Sequence, residues 1–224
     1  MRKLSIKQLI EFSGKSDKSK KTFALNLQID KQKQDSDGGG DYWVSCLSAI
    51  SNSFKYNDNS IILDKIHQLE EKFEETDYKR TKDMYERNIS ILYKFEDIDF
   101  RKWMPAEGFD IIKKHKSDFL LDISGLQVQA LPHHVFTFKN DDEEIGAIWF
   151  IAKLEGYNKY ELAMFTDILY RYMNQTYSKN YKINSDFCIA VDVVNVINLS
   201  YTQIMEEKIP LRLDLTIDEI KKLM

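Results

Sequence analysis

Residues 119–173 read FLLDISGLQVQALPHHVFTFKNDDEEIGAIWFIAKLEGYNKYELAMFTDILYRYM. Two apolar runs, FLLDI and LQVQAL, come first, and Pro132 leads into HHVFTF. A charged hairpin tip, KNDDEE, precedes IGAIWFIAK (145–153), whose β-branched and aromatic content predicts the strongest strand in the chain. The loop LEGYNK then feeds YELAMFTDILYRYM (160–173), where Leu162, Phe165, Ile168, Leu169 and Tyr172 recur at spacings of three and four. Those spacings predict a helix with one buried face and put Phe165 in the core. Downstream, DFCIAVDVVNV (186–196) reads as a buried strand, and NLSYTQI (198–204) is expected to pair with it. A central mixed sheet is thus expected from residues 119–153 and 185–203, with helix 159–174 packed on one face.

The chain before this block reads as helical. Ser5 and Gln8 make a capping box for a helix with Ile6, Leu9, Ile10 and Phe12 on its apolar side, ended by Gly14. SDKSKKTFALNLQI (16–29) alternates like a strand but is rich in lysine; helix is the reading adopted. KQKQDSDGGG (31–40) reads as a loop. Asp41 is the expected N-cap of DYWVSCLSAISNSF, in which Trp43, Leu47, Ile50 and Phe54 recur at helical spacing. Ser60 is the expected cap of a region that is one long helix or two in series, with Ile62, Ile66, Leu69 and Phe73 as its stripe, continued by Met84 and Asn88. Pro105 marks a boundary, GFDIIKKHK (108–116) reads as a short helix, and Thr216 with Glu219 suggests a capping box for the last helix. This order predicts a mixed α/β (α+β-like) class.

A hydrophobic fraction of 43% supports a substantial core, and a net charge of -4 argues against a generally basic nucleic-acid binder. Residues 1–40 are locally positive, with nine Lys/Arg against five Asp/Glu, which fits a solvated helix surface or a phosphate-facing patch. No apolar run approaches the roughly 20 residues of a membrane span, and MRKLSIKQLIEF has no signal-peptide core. A cytoplasmic protein with no membrane partner is expected. Cys46 and Cys188 stand alone in apolar patterns and read as buried thiols. GGG at 38–40 lacks the lysine and preceding strand of a phosphate-binding loop.

The order helix, three-stranded meander, helix, strand resembles the PD-(D/E)XK nuclease superfamily, most closely its RecB-type branch. LSIKQLIEF is similar to the short helix that opens many such domains. HHVFTF and IGAIWFIAK look like the second and third strands, and YELAMFTDILY like the helix that follows. The resemblance covers residues 1–30 and 119–200 and implies a restriction-endonuclease-like fold. It divides a single domain (1–224) into N-terminal helices and a glycine-rich loop (1–40), a helical insertion (41–116) and a sheet core (117–224).

The same resemblance implies a site in which two carboxylates hold Mg²⁺ and a lysine helps activate water. Lys153 stands where that lysine belongs. Ile151 stands where the third-strand acid belongs, His133 or His134 falls near the second-strand aspartate, and Glu161 and Phe165 occupy the helix's usual Gln and Tyr positions. The motifs are therefore degenerate. If the acids have relocated, Asp122, Glu144, Glu155, Glu161 and Asp167 are the candidates, with Glu161 and Asp122 the expected metal ligands and Lys153, Glu161, His133 and His134 the expected catalytic set. Asp192, inside VDVVNV, needs a partner or a sheet edge.

The favoured expectation is a non-catalytic, nucleic-acid-associated or protein-binding module on a degenerate nuclease-like fold, in defence or mobile-element biology, with no cofactor. The alternatives are a Mg²⁺-dependent nuclease working through Lys153 and Glu161, and an α/β interaction protein with no nucleic-acid role.

Overall fold

The structure, a computed structural model, describes residues 3–28, 42–113, 119–139 and 143–224. Its elements begin with β1 (Leu4–Ser5), α1 (Ile6–Ser13), α2 (Asp17–Gln28), α3 (Val44–Tyr56), α4 (Ser60–Glu75) and α5 (Lys79–Phe95). A 3-10 turn (Phe100–Trp103) leads to β2 (Asp110–Ile111), β3 (Leu120–Ile123), β4 (Leu126–Gln129), β5 (His134–Lys139) and β6 (Glu143–Ile151). The chain closes with α6 (Lys159–Tyr177), β7 (Lys182–Asp192), β8 (Ile197–Ser200), α7 (Tyr201–Glu206) and α8 (Leu213–Leu223).

The main sheet has the order β2-β5-β6-β7-β8. All its neighbours are antiparallel except β6 and β7, which run parallel because α6 carries the chain back between them. Along β6 the side chains alternate between two cores. Ile145, Ala147, Trp149 and Ile151 face α6, whereas Ile148, Phe150 and Ala152 face the helices of residues 44–95. Both faces are covered, which is why β6 and the second half of β7 (Phe187–Val191) read as nearly unbroken apolar runs. The β6–β7 register shifts between Ile145 and Ala147, at Gly146. A Cβ there would lie 2.6 Å from Phe187 Cβ, so only glycine allows the two strands to approach so closely.

The α6 side holds α1, α8 and a second sheet of order β1-β4-β3. The opposite side is an aromatic cluster. The Phe54 ring lies 5.5 Å from Phe109, 5.8 Å from His134, 5.9 Å from Phe150 and 6.0 Å from Phe136. Burying one such ring contributes about 1.5–3 kcal/mol.

The mixed α/β class, the strand 145–151, the helix expected at 159–174, the Ser5–Gln8 capping box and the helix over 17–28 are all present. Residues 60–95 form two helices broken at Thr76–Tyr78. Several local expectations need correction. FLLDI and LQVQAL leave the central sheet: Leu121, Ile123, Leu126 and Val128 turn inward while Asp122 and Gln127 face solvent, and β4 pairs with β1 instead. The edge strand comes from Asp110–Ile111, inside the segment expected to be a helix. Gly108 (φ 88°) halts the preceding turn, after which Phe109 and Ile111 reach one core and Ile112 the other, the period of a strand. Residues 114–118 lie outside the described set.

Of NLSYTQI only Asn198–Ser200 pairs with β7, in a strand that begins one residue earlier at Ile197; Ser200 then caps α7 through Gln203. Thr216 is not a cap, because α8 starts at Leu213 and its hydroxyl donates to Arg212 O at 2.8 Å. Ser60 opens α4 without capping it, and its N–H instead donates to Asp58 Oδ1 at 2.9 Å. Asp41 and the loop 31–40 lie outside the described residues. The start of α3 is tied by Asn88 on α5, which accepts from Cys46 N at 3.0 Å and donates to Tyr42 O at 2.8 Å.

Candidate functional site

The parallel pair β6–β7 opens at its carboxyl ends, where α/β sheets present ligand-binding crevices. The loop 152–158 forms the rim. It turns through Glu155 (φ 69°) and Gly156 (φ 75°), closed by Gly156 N–H donating to Lys153 O at 2.8 Å. A Cβ on Gly156 would meet Asn195 Nδ2 at 1.9 Å and Asp192 Oδ2 at 2.5 Å, so the turn requires glycine twice over.

Asp192 holds this rim. It is fully buried, and its carboxylate accepts from Tyr157 N at 2.8 Å, Asn195 Nδ2 at 3.0 Å and Val194 N at 3.0 Å. The expected partner for that carboxylate is thus a set of three donors, enough to offset its desolvation. Burial, with the Asp192 charge adding to it, pushes the Tyr157 phenol above its ordinary pKa.

Lys153 projects from the rim. Its Nζ lies 2.9 and 2.8 Å from the two Glu161 carboxylate oxygens and 4.7 Å from the Tyr157 ring centre. Glu161 also closes the N-terminus of α6: Oε2 accepts from Asn158 N at 3.0 Å while Asn158 Oδ1 accepts from Glu161 N. Lys7 reaches in from α1, its Nζ 3.4 Å from Ala152 O, and burial lowers its pKa against the raising influence of Glu11. Lys7, Glu11, Trp43, Lys153, Leu154 and Tyr157 line a cleft of about 180 Å³.

The structure thus brings Lys153 and Glu161 together and leaves the other candidates apart. Ile151 is 3% exposed and packed in the α6 core. His133 N donates to Ile148 O at 2.9 Å, and its Nδ1 accepts from Phe150 N at 3.2 Å, so the ring extends the β5–β6 ladder. His134 Nε2 lies 2.7 Å from Ser51 Oγ and 2.9 Å from Ser51 O, in the opposite core. From the β5–β6 register, His133 is four strand positions from Lys153, roughly 13 Å. Asp122 accepts from Gly125 N at 2.8 Å in the β3–β4 turn of the second sheet. Glu144 pairs with Lys182 at 2.9 Å, Glu155 is exposed, and Asp167 pairs with Arg171 at 3.0 Å. Among the described residues no group of three or more His, Cys, Asp or Glu could hold a metal ion.

No family model matches the chain, and no curated protein or solved structure matches it. Function therefore rests on the cleft.

Lys7, Glu11, Trp43 and Tyr157 were not singled out as site residues by the sequence. Lys7 meets Ala152 across 145 positions, and no local spacing encodes such a contact. The Cys46 and Cys188 thiols are buried and unpaired with each other; burial pushes Cys46 up to about 12. Among the described residues no helix is long and apolar enough to cross a membrane.

Proposed function

We propose that the chain is a non-catalytic, protein-binding module on a nuclease-like α/β scaffold, working through the cleft at the end of β6. The observation that carries this reading is Glu161. One oxygen accepts from Lys153 and the other from both Lys153 and Asn158, so the acid nearest the lysine is committed to an ion pair and a helix cap. With Ile151 in the core, that corner lacks the pair of free oxygen donors that Mg²⁺ requires.

The likeness to the PD-(D/E)XK nucleases is supported by the path α1, antiparallel β2-β5-β6, crossover α6 and parallel β7, with Lys153 just past β6. Charge in the cleft is mixed, Lys7 and Lys153 standing beside Glu11 and Glu161, whereas nucleic-acid interfaces are strongly positive. The half-buried Trp43 and the 54% exposed Leu154 suit a protein partner better.

The test combines two measurements on the full chain. Labelled DNA and RNA, incubated with Mg²⁺ or Mn²⁺, are expected to show neither cleavage nor a gel shift. A photo-crosslinker at Leu154 is expected to trap one discrete protein species in cells, while one at the exposed Leu215 on α8 does not. Metal-dependent cleavage lost in Lys153→Ala would establish a nuclease instead. A salt-sensitive shift lost in Lys7→Ala would move the partner to nucleic acid, and identical crosslinks from both positions would remove the cleft as the binding surface.

A further inference from the structure

Helices α4 and α5 form a hairpin whose inner stripes, Ile62, Ile66 and Leu69 with Ile91, Leu92 and Phe95, are buried. The hairpin carries a second apolar stripe that faces outward. Phe73 and Ile89 are half-buried and Tyr93 is 51% exposed; with Glu70, Glu74 and Glu86 they line a groove of about 380 Å³. Three carboxylates rim this apolar floor, and Lys82, outside the lining, reaches the ring of Phe73.

We propose that this groove docks a lysine- or arginine-bearing amphipathic helix of a protein partner. Three observations select that occupant. The open trough between two packed helices suits the helix-in-groove mode, in which apolar side chains at i, i+3, i+4 and i+7 fill the floor. The acidic rim complements cations flanking those anchors and steers their approach. The floor already accommodates an ammonium group, since Lys82 Nζ sits 5.0 Å from the Phe73 ring centre.

The groove also continues toward the β6 cleft. Glu86 and Ser90 line both it and the next depression, which in turn shares Trp43 and Leu154 with the cleft. That middle depression sets Arg87 and Lys94 against Glu86 and Glu155, so the acidic excess of the groove is balanced out along the path. A docked helix therefore presents its basic part over α4 and α5, where the rim is acidic. The groove extends the binding surface beyond the cleft and stands on its own residues: failure of the Leu154 crosslink would remove the cleft reading and leave this one intact.

The probe is a leucine-lysine amphipathic peptide of about 18 residues, long enough to hold a helix. A twin with glutamate in place of lysine serves as control, and binding to the full chain is read by fluorescence anisotropy. The lysine peptide is expected to bind at least about tenfold more tightly than its twin. Glu70→Gln, Glu74→Gln and Glu86→Gln together should weaken it about tenfold. Ile89→Ser should weaken it at a temperature where its melt shows the chain still folded, since Ile89 also packs on the core. Lys82→Ala, which frees the Phe73 face, should tighten it. A control triple of exposed carboxylates away from α4 and α5, Glu107→Gln, Glu143→Gln and Glu206→Gln, should leave binding as it was. No binding of the lysine peptide, equal binding of the twin, or equal loss in the control triple would each overturn the proposal.

Discussion

Helix α6 carries two carboxylate–cation pairs, and they differ in what water does to them. At the first turn Glu161 meets Lys153 with side chains 20% and 40% exposed. Two turns on, Asp167 is 1% exposed beneath Arg171, which also holds Asp214 on α8 through contacts of 2.8 and 2.7 Å. Solvent screens the first pair, so its contribution to stability is small, on the order of 0–1 kcal/mol. The second carries a desolvation cost: burial raises the Asp167 carboxyl above the usual carboxylate range, while the Arg171 hydrogen bond pulls it back. Its Oδ2 has no hydrogen-bond partner among the described residues. Arg171, held over that buried charge, fastens α8 to α6 through Asp214, whereas the screened pair at the mouth is free to serve recognition at little structural cost.

The largest expected effect lies between the two pairs. Phe165 is buried edge-on against Trp149 (5.3 Å) and Tyr157 (5.1 Å). Phe165→Ala should cost about 3–5 kcal/mol. Phe165→Tyr should also destabilise, because the added hydroxyl enters an apolar contact. A melt of Phe165→Ala within a degree of wild type would show that this stretch of α6 is not held by its core and would dissolve the contrast.

Arg171→Ala tests the buried pair directly. It strands Asp167, at an expected cost of about 2–3 kcal/mol near neutral pH. Burial raises the folded-state pKa of Asp167 above its unfolded value, so the stabilisation that protonation gives is present at low pH and lost as pH rises through the folded pKa. The deficit of Arg171→Ala should therefore shrink from neutral pH toward about pH 4. A deficit that grows on acidification would mean that Asp167 is not the group left exposed to the loss.

These two regions were unequally legible. Phe165 and its neighbours follow from three-and-four spacing within one helix, and the class of fold followed from strands and helices of comparable clarity. Lys153 was found because a motif pointed to it, and Glu161 because it lies eight positions away at the helix start. Asp167 was visible only as one of five candidate carboxylates, and its link to Asp214 through Arg171 is set by how α8 packs. The β2 strand was misread because Phe109, Asp110, Ile111 and Ile112 alternate over too few residues to separate strand from helix. The cleft residues Lys7 and Trp43 reach Lys153 only through the fold, and no short-range pattern foretells that meeting.

Asp214 sharpens the comparison from the solvent side. The Arg171 hydrogen bond holds its carboxyl below the ordinary value. A depressed folded-state pKa gives stability that is present above the unfolded pKa and lost as pH falls through the folded one. Asp214→Asn should thus cost about 1 kcal/mol or less at neutral pH, discounted for its 56% exposed side chain. That cost should fade below about pH 4, seen as converging wild-type and variant melts. The pH trend runs in the same sense as for Arg171→Ala, yet the amplitude should be smaller, because water remains to solvate what Asp214 leaves behind.

The smallest effect belongs to Lys153, and its partner makes the prediction sharp. Lys153→Ala removes a screened ion pair and a contact with the Tyr157 ring, so the expected loss is about 0.5 kcal/mol or less. Glu161→Ala removes the same pair, and with it the acceptor for Asn158 N and a carboxylate at the positive end of α6. It should cost roughly 0.5 kcal/mol more than Lys153→Ala, and the double variant should match Glu161→Ala closely, because nothing remains for the lysine to hold. Denaturant melts of all three give the cycle. Equal costs for the two single variants would mean that Glu161 serves Lys153 alone. The carboxylate would then be free of the helix end and open to binding a cation after all.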